Sequence, residues 1–312
     1  MAERKHAARR KPGGVLGRLD KSSCQLYVLM LPAIIATFVF AYIPIYGVQI
    51  AFKNFRSSLG IWNSDWVGFA HFARLFSYPN FWSMIRNTLS ITLYSLATFP
   101  LAVAVALLLN ELRSNRYKKV VQMVSYAPYF LSVVVLCGLV ILFLGRGNGL
   151  INNVVVALGG ERTDFLAKPE LFSSIYVWSG VWQNVGWSTI IYIAALAGVS
   201  TEMIEAAQID GASNLRIIWH VKLPSILPTV IILFILATGG ILSVGYEKVL
   251  LLENKLNIEA TRVISTHVYK VGLESGQFSY AAAINLFSNV VNLIVLIFAN
   301  TIIRKWSEVG LW

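Results

Sequence analysis

Six stretches of this chain, 22–52, 87–110, 120–145, 171–201, 223–246 and 275–303, contain no Asp, Glu, Lys or Arg at all. An α-helix needs about 20 residues to cross roughly 30 Å of hydrocarbon, and each run is longer than that. Backbone polar groups have no water to bond in a bilayer, so a run of this length crosses as a helix. The expected fold is therefore an all-α polytopic membrane protein with six transmembrane helices, centred on 26–50, 86–109, 121–144, 173–198, 225–245 and 281–303. Composition agrees: 56% of the residues are hydrophobic and 13% charged, well below the ~25% charged residues of an ordinary soluble domain.

The first run follows a basic segment, as a secretory signal does. It is longer than a signal core of about 7–15 residues, and no small-x-small cleavage pattern closes it before Lys53. It is read as a retained helix. If the N-terminus is cytoplasmic, the inside segments 1–21, 111–119, 202–222 and 304–312 hold 15 of the 26 lysines and arginines. That is more than twice their density in the outside loops, so the positive-inside rule predicts both termini in the cytoplasm. The net charge of +11 then needs no nucleic acid to explain it, and the arm RKHAARRK at 4–11 is read as a topological or lipid-facing segment. Cys24 and Cys137 fall at different depths on this topology and are read as small packing residues.

Catalytic and metal-binding patterns are missing. The sequence has no G-x-x-x-x-G-K-[ST] phosphate loop and no H-E-x-x-H, and His6, His71, His220 and His267 scatter over four loops or tails. No catalytic residue, metal site or bound cofactor is expected. The spans also lack the mid-membrane charges that serve as relays in ion-coupled carriers. Energy for any transport should then enter from another subunit.

One polar insert stands out between the fourth and fifth runs, EAAQIDGASNLRIIWHVKLP at 205–224. Glu205, Ala206 and Ala207 begin a helix-capable stretch, Asp210 and Gly211 signal a turn, and 214–220 reads as a second short helix stopped by Leu223 and Pro224. Gly211 permits positive φ and close approach, and Pro224 suits the first turn of the next span. The two short helices read either as a plain connector or as a rigid cytoplasmic knob for docking.

The spacing Glu205-Ala206-Ala207, Asp210-Gly211, Leu223-Pro224, in a loop before the penultimate span, resembles the EAA signature of the membrane subunits of binding-protein-dependent ABC importers; Val221 is a mild departure from it. The resemblance implies a type I ABC importer permease fold over 84–304, with the helix in 22–52 added in front, a coupling loop at 202–224 and a short tail at 305–312. It also implies that Glu205, Ala206, Ala207, Asp210, Gly211, Leu223 and Pro224 couple to a separate ATPase. Partners expected on the same ground are a second permease subunit, two ATP-binding subunits carrying ATP and Mg, and an extracytoplasmic solute-binding protein, all at a bacterial cytoplasmic membrane. The segments YIPIYGVQIAFKNF, WQNVGW and GYEKVLLLENKLNIEATRVISTHVYKVGL resemble the branch of sugar permeases handling oligosaccharides and polysaccharide fragments, aldouronates and alginate included. An ABC permease for a non-sugar solute and a stand-alone carrier or channel are the alternatives.

Sugars are held by aromatic faces and by amides that read hydroxyls. The candidate path residues are Trp182, Gln183, Asn184 and Trp187 in the fourth run and Asn285 and Asn289 in the sixth. Trp178 shares a helix face with Trp182, and Asn292 extends the sixth-run stripe. The competing readings are an interfacial tryptophan belt and asparagine bonds between helices. The outside loops 53–85 and 246–280 read as interfacial segments, as a docking surface for the binding protein, or as both.

Overall fold

The computed structural model describes residues 21–312. The basic arm at 4–11 and the side chain of Cys24 lie outside the described residues. Contact clustering divides the chain into a small N-terminal unit and a larger one, Ile50–Trp312. The first contains the helix Lys21–Thr37 and a π turn at Phe38–Tyr42, and the 3-10 stretch Ile43–Phe52 that follows spans the division between the units. The change of pitch coincides with Pro44, which has no N–H for the α ladder. Gln25–Phe52 is apolar over 28 residues, enough to cross a bilayer.

In the larger unit, three further helices are each long and apolar enough to cross: Phe81–Asn110, Asn214–Thr238 and Phe278–Ser307. Two bent pairs bring the total to the six expected crossings when each pair counts once: Asn115–Phe130 with Val133–Leu144, and Pro169–Ala197 with Thr201–Ile209.

The third crossing departs from the sequence expectation of one straight helix. It turns by 100° between Phe130 and Val133. Pro128 removes an amide from the ladder, a 3-10 turn closes Ala127–Phe130, and Ser132 caps a new helix by accepting from the Val135 amide at 3.3 Å. The carbonyl of Leu131, freed by the break, accepts a bond from Gln183 Nε2 at 2.9 Å. A break in the bilayer is tolerated only with such a partner.

The segment after the fifth helix, expected to be interfacial, a docking surface or both, also sends Val249, Leu252, Val263 and Ile264 into the core. Val249, Leu252 and Val263 pack with Ile91, Cys137, Phe172 and Val177, so the helix Tyr246–Leu252 folds back against the spans. The turn leading into it is fixed by side chains: Leu242 N donates to Asn292 Oδ1 at 2.9 Å, and Thr92 Oγ1 donates to Ile241 O at 2.7 Å. By contrast, the 53–85 segment keeps Trp62, Trp66 and Phe69 exposed around a short hairpin of Lys53–Asn54 with Asp65–Trp66.

Gly186 permits a close approach between the third and fourth spans. A Cβ there would lie 2.0 Å from the Ser125 carbonyl oxygen, inside any allowed contact. Gly186→Ala should push the third and fourth helices apart, at about 1–3 kcal/mol. Thermal melting of the purified protein in detergent checks this; an unchanged midpoint would contradict the packing described.

Candidate functional site

Two regions are built around the fourth helix, a cavity along its length and a knob at its C-terminal end. The cavity has a volume of about 1020 Å³ and is lined by the second, fourth and fifth helices together with 245–248. Ser95, Thr98 and Phe99 face it from the second helix, where Pro100 interrupts the ladder. Tyr176, Gly180, Gln183, Asn184 and Trp187 face it from the fourth.

Of the six path residues expected from sequence, the structure brings Gln183, Asn184 and Trp187 to this wall. Trp187 is stacked on Tyr129, with ring centroids 4.3 Å apart and planes inclined by 3°. Gln183 spends its amide N–H on Leu131, and Asn184 donates to Gly180 O at 2.9 Å. Trp182, Asn285 and Asn289 are exposed and do not line the cavity. The asparagine stripe divides: Asn292 is buried between the sixth helix and the 241–243 turn, its Nδ2 donating to Ser243 Oγ at 3.1 Å, which is a bond between elements rather than a path contact. Trp178 Nε1 donates to Tyr94 Oη at 2.8 Å.

Sequence reasoning missed Lys248. Counting charges ended the fifth run at Tyr246 and assigned Lys248 to an outside loop. In the structure it is 8% exposed and lines the cavity. Its Nζ donates to Tyr176 O at 2.6 Å and lies 4.4 Å from the Tyr176 ring centroid. Burial pushes its pKa down to about 8, with the Cys137 thiol acting weakly in the other direction. The available signal was a Glu-Lys pair inside the otherwise uncharged stretch 239–252.

The knob forms around the EAA residues. Ser200 caps the helix Thr201–Ile209, Glu205 and Ala206 are exposed on it, Ala207 is half-buried, and Asp210 is its C-cap. Gly211 has φ +76°, and the Ala212 amide returns to Ala207 O at 2.9 Å, closing the helix end. Nothing stands within 4 Å of a Cβ built at Gly211. The requirement visible within this chain is left-handed backbone.

The second short helix expected at 214–220 is not separate. Ser213 caps a helix that runs from Asn214 through a π turn at Ile218–Lys222 into the fifth span and ends at Thr238. Leu223 and Pro224 do not stop it; the wider π turn just before Pro224 accommodates the missing N–H.

An ion pair ties this region to the bundle. Lys222 Nζ bonds Glu111 Oε1 at the end of the second helix, and Lys222 is buried. Beyond the pair the knob is uncovered. Ile209 is 87%, Leu215 69% and Trp219 64% exposed, beside exposed Glu205, Gln208 and Asp210.

Residues 98–308 match the family described as binding-protein-dependent transport system inner membrane component. The chain belongs to that family. As an inner membrane component it resembles the polygalacturonan/rhamnogalacturonan transport system permease protein YteP of Bacillus subtilis strain 168, at 42% identity over 92% of this chain and 90% of that one. Among solved structures, it is similar to a bacterial ABC transporter involved in importing the acidic polysaccharide alginate, with TM-score 0.83 and 38% identity over 92% of this chain and 97% of that one. A second structure, of a bacterial alginate ABC transporter in complex with alginate pentasaccharide-bound periplasmic protein, gives TM-score 0.83 and 37% identity over 93% of this chain and 98% of that one. The chain is thus a multi-pass membrane transport component of the ABC permease type.

Removing one partner of the Lys222–Glu111 pair strands the other charge. The 27% exposure of the Glu111 side chain moderates the cost from the ~3–5 kcal/mol of a fully buried pair to about 1–3 kcal/mol. Glu111→Ala should lower the melting midpoint in detergent, and Glu111→Leu combined with Lys222→Met should recover most of it. A double variant no better than the single one would remove the pair from this role.

Proposed function

We propose that this chain forms half of the transmembrane pathway of an ATP-driven importer for an oligosaccharide or polysaccharide fragment. The observation that carries the reading is the uncovered knob: apolar Ile209, Leu215 and Trp219 project beside the EAA residues on a chain without a phosphate loop of its own. Apolar side chains left in such surroundings mark a contact surface. The partner it fits is an ATP-binding subunit, which supplies ATP, Mg and hydrolysis while this chain supplies none. Glu205, exposed on the helix Thr201–Ile209, meets basic groups of that subunit. A second permease chain closes the pathway, with the exposed Asn285 and Asn289 on the outer side of the sixth helix. An extracytoplasmic solute-binding protein delivers the sugar, and the membrane is a bacterial cytoplasmic one with both termini inside.

The sugar part of the reading rests on the cavity wall. The Tyr129–Trp187 stack offers an aromatic edge, and Gln183, Asn184, Ser95 and Thr98 supply short polar groups. A cavity of this size and mixture suits a carbohydrate passing through more than a site that holds one tightly. The relatives named above carry polysaccharides, which points the same way.

Reconstitution tests the assignment. Proteoliposomes containing this chain, its second permease, the ATPase and the binding protein should accumulate oligosaccharide only with ATP; uptake by this chain alone without ATP would sink the reading. Gly211→Val forces a β-branched residue into left-handed backbone, which costs an ordinary residue about 1–2 kcal/mol and a branched one more. ATP-driven uptake should fall at least tenfold with membrane insertion intact, while Gly211→Asn, which tolerates that conformation, should keep most of it. Wild-type uptake by the valine variant would argue against the knob as the coupling element.

A further inference from the structure

The cavity wall carries two charged residues, Glu247 and Lys248, and they are placed differently. Glu247 is exposed, and its Oε1 accepts from the Tyr246 hydroxyl at 3.4 Å. Lys248 is buried, and among the described residues the ion pairs are Lys222–Glu111 and Lys270–Glu253, neither of which includes it. A buried ammonium without a carboxylate is costly, and the site retains it with one carbonyl bond and one aromatic face.

Lys248 lies on the cavity wall with Gly180 packed beside its ammonium. Gly180, a neighbour on the wall, has no side chain, and a Cβ there would stand 3.2 Å from Lys248 Nζ. An ammonium has three N–H donors, and Tyr176 O takes one of them. The titratable groups around it are Tyr176 on the fourth helix, Cys137 on Val133–Leu144, Tyr246 and Glu247 on its own helix, and Tyr269, which stacks on Tyr246 at 5.1 Å. Glu247 is the one carboxylate in that set; it lines the same cavity, and it forms no ion pair with Lys248.

We propose that Lys248 is a specificity-determining residue of the pathway, its free N–H donors binding the carboxylate of a uronic acid unit as an acidic oligosaccharide passes the cavity. This deepens the oligosaccharide reading above and rests on it. To the charge-assisted bond that any acceptor makes with the ammonium, a carboxylate adds Coulomb attraction that a neutral hydroxyl lacks, so the lysine separates acidic from neutral sugars of the same shape. One lysine on the wall is enough to favour entry of each charged unit without trapping the chain.

The test uses the detergent-purified importer assembly without the binding protein, so that selection by that protein does not enter. Binding of trigalacturonate and of its carboxyl-reduced, neutral form is measured on the wild type and on Lys248→Met and Lys248→Arg. The wild type should bind the acidic sugar at least tenfold more tightly; Lys248→Met should abolish the difference, and Lys248→Arg should restore most of it. The wild-type preference should also fade between pH 7 and 9, because the ammonium loses its proton near 8 while the uronate stays ionised; this arm needs no variant to fold. Equal wild-type affinity for both sugars, a preference that is flat with pH, or an equal loss of both sugars in Lys248→Met would overturn the proposal while leaving the carbohydrate reading intact. Wild-type binding of neither sugar would overturn both.

Discussion

A bilayer offers backbone amides and carbonyls nothing to bond, and the irregular parts of this protein are arranged around that fact. Two of the departures from α-helix in the bundle are met by side chains of neighbouring helices. Gln183 serves the Leu131 carbonyl at the break in the third crossing, and Asn292 and Thr92 hold the turn at 241–243. These polar residues lie on neighbouring helices, so they fix where two spans meet as well as where one breaks. Their bonds also aim the functional parts: the 241–243 turn leads directly into the helix that carries Lys248, and the Leu131 break sits next to Tyr129, the stacking partner of Trp187.

The same constraint explains what could be read from the sequence. The crossings were legible because hydrocarbon excludes charge over a fixed thickness, and a charge-free run records that directly. The EAA spacing was legible as well, since Asp210, Gly211 and the caps Ser200 and Ser213 encode their turn locally. Which side chains line the cavity was not. Gln183, Asn184 and Trp187 reach the cavity while Trp182 does not, because a one-residue step turns a helix by about 100° and only the neighbours determine which face is inside. Asn285, Asn289 and Asn292 share a stripe, yet the Leu242 amide, distant in sequence, makes only Asn292 a structural bond.

Lys248 was hidden for a different reason. Charge counting records where a run ends but not where the chain goes next, and here 246–252 returns to the bundle. Val249 and Leu252, buried beside Ile91, Cys137 and Phe172, hold that return in place, which puts the lysine at the cavity and not in water. A loop in the linear topology is part of the wall in the fold.

The two halves of the proposed function meet in the second and fifth helices. The fifth is continuous with the knob from Asn214 to Thr238, so a displacement at the EAA turn acts on it without an intervening joint. The second is joined to the same place through Glu111, bonded to Lys222, and some way along that helix Ser95, Thr98 and Phe99 face the cavity. The fifth contributes Leu233 and Ala237 to the opposite side of that wall. In the proposed importer, force on the knob passes to the fifth helix directly, to the second through the Glu111–Lys222 pair and across the interruption at Pro100, and to the fourth, which holds Lys248 through Tyr176, across the bend between Ala197 and Thr201. Unequal movement of these three members changes the cavity's shape around Lys248, which is what the proposed pathway needs in order to release an anionic unit after binding it.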